Sequence, residues 1–297
     1  MYTTKLNESE EMQTWWNGLS AEWKKMLSTK SGITEPVNYD KIKTVLRITE
    51  LDLSNNANIT DLEPLAKLGK LKRLDCSNTK VNDLYPIRNL NKLEVLNCSN
   101  TEVKNISPLQ YASKMQDLFL DNTKISDINV VENFIELKKL SIENTGVSNI
   151  EALIEASTLE DLRMSGTKVE NTEVLKELPE IRFLRFNSTP ISSLTNLSNL
   201  KKLEQLSFSA TKITDISLLN QFPNLKVVYF NNTTINDLST LEKCEKIEKI
   251  YCDNTGIDEA KASAFMNKKP NSLVIYNSDI LKKWWEDMSA EWKKVFA

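Results

Sequence analysis

From Leu71 the apolar positions of the chain recur with a period of 22 residues, in the pattern LxxLxLxxTxIxxLxxLxxLxx. Units begin at Leu71, Leu93, Met115, Leu137, Leu159, Ile181, Leu203, Leu225 and Ile247. An earlier copy starts at Ile48 with one extra residue in its turn. A degenerate copy, SLVIYNSD, follows an insertion after Ala260, which makes ten full units and a partial eleventh. Within a unit, positions 4 and 6 are apolar with polar neighbours, the period of a short strand. Apolar positions 11, 14, 17 and 20 follow at the spacing of 3₁₀ turns. One unit cannot bury these residues alone, but stacked units bury them as a continuous column. The spacing therefore predicts a solenoid with a parallel sheet. Position 9 is threonine in all nine regular units, Thr79 through Thr255, and its hydroxyl is expected to satisfy backbone groups in a recurring turn.

The chain ends follow another pattern. Residues 15–27 read WWNGLSAEWKKML and residues 284–296 read WWEDMSAEWKKVF, and these two segments hold all six tryptophans. Ser20 and Ser289 fit helix N-caps. Trp16, Leu19, Trp23 and Met26, and likewise Trp285, Met288, Trp292 and Val295, follow the spacing of one helical face. Each copy thus predicts a helical hairpin. The expected organisation is a helical cap over 1–47, the repeat array over 48–277 and a helical segment over 278–297. Trp15, Trp16, Trp23, Trp284, Trp285 and Trp292 are read as cap residues. Docking, self-association or the start of a second array are the alternatives.

The repeats resemble the leucine-rich repeat family, and the turns Asp61-Leu62-Glu63-Pro64-Leu65 and Asn105-Ile106-Ser107-Pro108-Leu109 resemble its internalin-type bacterial subclass. Threonine stands where that family carries its ladder asparagine. Asparagine sits one place earlier, at Asn78, Asn100, Asn122, Asn144, Asn232 and Asn254. The resemblance implies an arc with a concave parallel β-sheet, a 3₁₀ and irregular convex side, and a role in binding proteins. The tryptophan segments are also similar to ones flanking repeats in gut Bacteroidetes proteins, which implies a bacterium of that type.

If positions 4 and 6 point inward, positions 3, 5 and 7 point to the sheet's open face. Its N-terminal part is polar and acidic. From the fourth unit it carries Phe119, Arg163, Phe183, Arg185, Val227, Tyr229 and Tyr251. Aromatic residues and arginine dominate interface hot spots, so these seven are the candidate ligand-binding residues. Exposed strand aromatics with no function, and a glycan surface, are the competing readings.

Composition narrows the chemistry. The 297 residues contain no histidine and 6 glycines, which removes histidine-based catalysis, HExxH metal sites and phosphate loops. Carboxylates are scattered; Asp121, Glu143 and Asp253 are the weak metal candidates, and no cofactor is implied. The net charge of −3 argues against nucleic acid. No apolar run reaches the length of a membrane span. Cys76, Cys98 and Cys252 at position 6 and Cys244 at position 20 are expected to point inward as small hydrophobes. The N-terminus MYTTKLNESEEMQ is unlike a signal peptide. A native N-terminus implies the cytoplasm, and a removed signal peptide implies secretion or the cell surface. The leading expectation is a non-catalytic module binding a protein or peptide. An assembly protein self-associating through its tryptophan-rich ends is the alternative.

Overall fold

A computed structural model describes residues 7–289 and 293. The chain divides into two compact units, Met1–Val147 and Ser148–Ala297.

The first unit opens with helices α1 (Glu8–Gly18), α2 (Ala21–Ser31) and α3 (Tyr39–Val45). Asn7 starts α1 through a reciprocal capping box: its Oδ1 accepts from Glu10 N at 3.0 Å, and Asn7 N donates to Glu10 Oε2 at 3.2 Å. Ser20 caps α2 by accepting from Trp23 N, and Gly32 ends it at φ 70°, where a side chain would be strained. The buried face runs Met12, Trp16, Leu19, Trp23, Leu27 and continues onto Ile42 and Val45 of α3. Met26, expected on this face, is half-buried and Leu27 takes its place. The break at Leu19–Ser20 restarts the helical phase, so the next inward position is four residues beyond Trp23. Glu22 then reaches the first repeat, its Oε1 accepting from Asn56 Nδ2 at 2.7 Å.

Five strands follow: β1 (Glu50–Asp52), β2 (Arg73–Asp75), β3 (Val95–Asn97), β4 (Asp117–Phe119) and β5 (Lys139–Ser141). They pair in parallel and in chain order, as Leu51↔Leu74, Leu74↔Leu96, Leu96↔Leu118 and Leu118↔Leu140. The second unit holds β6 (Asp161–Arg163), β7 (Phe183–Arg185), β8 (Gln205–Ser207), β9 (Val227–Tyr229), β10 (Lys249–Tyr251) and β11 (Leu273–Ile275), again parallel and in chain order. It also holds α4 (Glu259–Lys268) and α5 (Ser278–Asp287). The solenoid of parallel strands and 3₁₀ turns is thus the fold the 22-residue period predicts. The insertion after Ala260 lies within α4, capped by Asp258 and buried through Ala262 and Phe265.

Each strand is three residues long, with its central side chain buried. Position 6 fills the core behind the strands, where Phe186, Phe208 and Phe230 stack at 6.2 and 5.9 Å. Positions 11, 14, 17 and 20 are buried as well, in one unit Val81, Leu84, Ile87 and Leu90. The 3₁₀ turns start where position 13 accepts from the backbone two residues on, as Asp61 from Glu63 N at 3.1 Å and Asn105 from Ser107 N at 2.9 Å. An Asx side chain at that point mimics a backbone turn.

The position 9 threonines act locally. Thr79 Oγ1 donates to Cys76 O at 2.6 Å, and the bond recurs through Thr255 to Cys252 O at 2.7 Å. Position 8 makes the turn itself. Asn78, Asn100, Asn122, Asn144, Asn232 and Asn254 all have φ between 53° and 56°, and Gly166 has φ 68°. This left-handed region is tolerated by glycine and asparagine. Asparagine also links repeats there: Asn122 Nδ2 donates to Asn100 Oδ1 at 2.8 Å and Asn144 Nδ2 to Asn122 Oδ1 at 3.0 Å. Asparagine therefore appears one place before threonine because the two residues do separate tasks in one turn.

Candidate binding face

Positions 3 and 5 flank each buried strand centre and face away from the core. Position 7, also expected on the open face, is half-buried in the second unit and taken up by the scaffold. Ser165 Oγ accepts from Asn187 N, Asn187 Oδ1 from Ser209 N, Ser209 Oγ from Asn231 N, and Asn231 Oδ1 from Asp253 N, at 2.7 to 3.2 Å. Asp253 ends the run by accepting from Ser278 N and Ser278 Oγ at 2.5 and 2.7 Å. In the first unit Asp121 Oδ1 accepts from Ser141 Oγ and Glu143 N at 2.5 and 2.8 Å. Asp121 and Asp253, weighed as metal ligands, thus hold backbone. Among the described residues no cluster of three acidic, cysteine or histidine side chains has metal-binding geometry.

Phe119 belongs to the first unit. It is half-buried and lines a depression of ≈ 360 Å³ with Lys30, Asp52, Arg73, Asp75 and Asn97. The strand face there carries four acidic side chains, Glu50, Asp52, Asp75 and Asp117, against Arg73 and Lys139.

The other six candidates share the face of the second unit. Arg163 and Arg185 are paired in register on β6 and β7, as are Asp161 and Phe183. Asp161 is buried and forms a two-point ion pair with Arg163, Nε to Oδ1 at 3.1 Å and Nη2 to Oδ2 at 2.8 Å. Phe183 is 37% exposed, with the guanidinium of Arg182 5.5 Å from its ring centre. Asp161, Arg163, Phe183, Arg185 and Gln205 line a depression of ≈ 260 Å³. Beyond it Ser207 on β8 is buried, which lowers the floor between Arg185 and Tyr229. Tyr229 and Tyr251 stack face to face, centroids 4.3 Å apart and planes 8° from parallel. Burial and the neighbouring Tyr251 hold the Tyr229 hydroxyl above its ordinary pKa, and the Arg185 cation opposes them. Val227 is half-buried beside this pair. Leu273 and Ile275 on β11 extend the apolar strip, Leu273 being 49% exposed. These two are absent from the candidate set, although reading SLVIYNSD as a degenerate unit places them at positions 3 and 5.

The tryptophan copies have different surroundings. Trp16 is 2% exposed, Trp23 is buried, and Trp15 is half-buried against Trp16 with its indole N–H enclosed and unbonded. A groove of ≈ 690 Å³ runs between them and the first repeat, walled by Trp15, Trp23, Ile59, Pro64 and Lys67. On α5 Trp284 is 55% and Trp285 38% exposed, and Trp292 lies outside the described residues. The four cysteines are buried free thiols. Burial pushes Cys252 up to about 12 and Cys244 up to about 11, and contact with Cys76, then burial, raises Cys98. No described helix is long and apolar enough to cross a membrane.

Residues 47–89 match the model of leucine-rich repeats in two copies. Among proteins of curated function none matches this sequence. Many solved structures share the fold. An internalin, InlF, of Listeria monocytogenes superposes with a TM-score of 0.76 at 19% identity, covering 90% of this chain and 91% of its own. Internalin C2 of the same organism gives 0.65 at 24% identity, over 69% of this chain and 91% of its own. The functional domain of InlJ from Listeria monocytogenes gives 0.60 at 15% identity, over 89% and 70%. These likenesses are ones of fold.

Proposed function

We propose that this chain, a leucine-rich repeat protein, is a non-catalytic module that binds a protein or peptide on the strand face of its second unit. The observation carrying this reading is a division of labour along the strands of that unit. Position 4 builds the core and position 7 holds the next repeat. Positions 3 and 5 bear Phe183, Arg185, Val227, Tyr229 and Tyr251, which no core or turn requires. Aromatic rings supply large contact area at little entropic cost and arginine adds directed hydrogen bonds, the usual make-up of a binding hot spot.

Selection of binders from a displayed peptide library against the full chain tests the proposal. Arg185→Glu combined with Tyr229→Ala should remove the selected clones without lowering the melting temperature. Clones that bind the double variant equally would place binding elsewhere.

A second reading has one observation behind it. The exposure of Trp284 and Trp285, where their counterparts Trp15 and Trp16 are half-buried and buried, favours self-association through α5. Removal of residues 284–297 would then lower the mass measured by light scattering. Under the face-binding reading the mass of the particle falls only by that of the segment removed.

A further inference from the structure

We propose that two copies of this chain associate through α5, the Trp284–Trp285 segment of each helix lying antiparallel against that of the other across a two-fold axis. This inference rests on the second reading above, self-association through α5, and adds the partner surface, its direction and its symmetry.

The sequence around the second tryptophan pair is self-complementary. Residues 281–288 read LKKWWEDM, so two lysines precede the tryptophans and two acids follow at equal distance. In an antiparallel pair of helices centred between Trp284 and Trp285, Lys283 of each copy lies at the height of Glu286 of the other, and Lys282 at the height of Asp287. In a parallel pair lysines would lie beside lysines and acids beside acids, which is destabilising.

The first copy lacks this arrangement. Residues 12–19 read MQTWWNGL, with neutral Gln13, Thr14, Asn17 and Gly18 where the second copy has Lys282, Lys283, Glu286 and Asp287. There Trp16 is 2% exposed within the cap, and Gln13 Nε2 donates to Val37 O at 3.3 Å. On α5 Trp284 is 55% and Trp285 38% exposed. Charges therefore flank the tryptophans in the copy that shows both of them to solvent.

The order of those charges does not serve the helix alone. Acids favour the start of a helix and bases its end. Glutamate before lysine is also the better order at four-residue spacing. α5 has the reverse, with no basic residue in its last turn and Lys282 before Glu286, a 4.0 Å contact in which both side chains stay mostly exposed. An antiparallel partner offsets this, because the acids of each copy then lie toward the positive N-terminal end of the other helix.

Area sets the strength. At roughly 250 Å² for an indole side chain, the exposed parts of Trp284 and Trp285 amount to about 460 Å² over two copies. Specific interfaces begin at about 1,200 Å². The tryptophans supply more than a third of that and the flanking side chains part of the rest, so the dimer should be a weak one, with a micromolar dissociation constant.

Sedimentation equilibrium of the full chain from about 1 μM to about 300 μM tests the assignment. The mass should rise from one chain toward two and stop there. Lys282→Glu with Lys283→Glu makes all four flanking charges acidic, and Glu286→Lys with Asp287→Lys makes all four basic. Each double variant should dimerise about tenfold more weakly or worse, and a mixture of the two should recover the parent's mass. Exchanging all four charges together restores self-complementarity, so that variant should dimerise as the parent does but not with the parent. All three variants should melt as the parent does. Association of either double variant at the parent's strength overturns the proposal. So do particles that grow past two chains, which would mean a head-to-tail contact, and mixed dimers of the parent with the exchanged variant, which would mean parallel helices. If the double variants associate like the parent while removal of residues 284–297 still abolishes association, the two-fold pairing falls and self-association through α5 stands. A single-chain mass at every concentration would remove both.

Discussion

Asn187 Oδ1 accepts the backbone N–H of Ser209 at 2.7 Å, one full repeat further along the chain, and the hydroxyl of Ser207 at 2.8 Å. A single side chain thus closes two hydrogen bonds in the neighbouring repeat, at a turn where the backbone has left the strand. Asn187→Leu keeps the volume and removes the acceptor. Leaving a half-buried amide and hydroxyl unpaired costs about 1–3 kcal/mol each at most. The expected result is a clear loss of stability in urea unfolding with the remaining repeats still folded. An unchanged midpoint would mean that water replaces the ladder.

Ala210 sits at φ 54° and Ser188 at φ 53°, where most other repeats have asparagine. A left-handed alanine costs about 1–2 kcal/mol, and glycine relieves it at some expense in unfolded-chain entropy. Ala210→Asn should therefore raise the melting temperature. The reverse change at another repeat, Asn78→Ala, should lower it by a similar amount, since the turn there has the same geometry.

The two tryptophan copies should respond unequally to truncation. Trp16→Ala empties a site that is 2% exposed, and such changes cost about 3–5 kcal/mol. Trp285→Ala, at 38% exposure, should cost far less. Thermal melting of the two variants compares them directly. Equal losses would show that α5 is covered in solution as α1 is.

Stability should be insensitive to pH across the neutral range, because the chain lacks histidine, the side chain that ordinarily titrates there. On the acid side, hydrogen bonds from Lys226 and then Arg182 hold the Glu204 carboxyl below its ordinary value of 4.5. Ser217 and Ser239 do the same for Asp215 and Asp237, below 3.8. A depressed carboxyl stabilises the fold above its unfolded value and loses that contribution as pH falls through the folded one. Melting temperature should be level from about pH 5.5 to 8 and fall below about pH 4.5. A transition near pH 6.5 would contradict this.

Thiol chemistry gives a last check. Cys244 and Cys252 are buried and raised to about 11 and about 12, and Cys98 is also raised, so thiolate is scarce at pH 8. Iodoacetamide should leave the native protein unlabelled at all four cysteines and label all four in denaturant. Rapid native labelling at Cys76 or Cys98 would mean that the strands open there.

The period of 22 was enough to identify the solenoid, the strand centres such as Leu74 and Leu184, and the inward cysteines. Each of these follows from which positions must be apolar, and that is written directly in the residues. The rows Arg163–Arg185 and Tyr229–Tyr251 were legible for the same reason, since parallel repeats in phase place equal positions side by side. Other features depend on backbone geometry and on neighbours that periodicity does not describe. Only the tertiary structure separated the duties of Asn78 and Thr79, because one depends on φ and the other on a carbonyl three residues back. Only it withdrew position 7 from the open face, since the partner of Asn187 is an amide 22 residues away. Only it gave the near-identical tryptophan segments different surroundings, burying Trp16 and leaving Trp285 exposed, because what covers a side chain is decided by the elements packed around it and not by the segment that carries it.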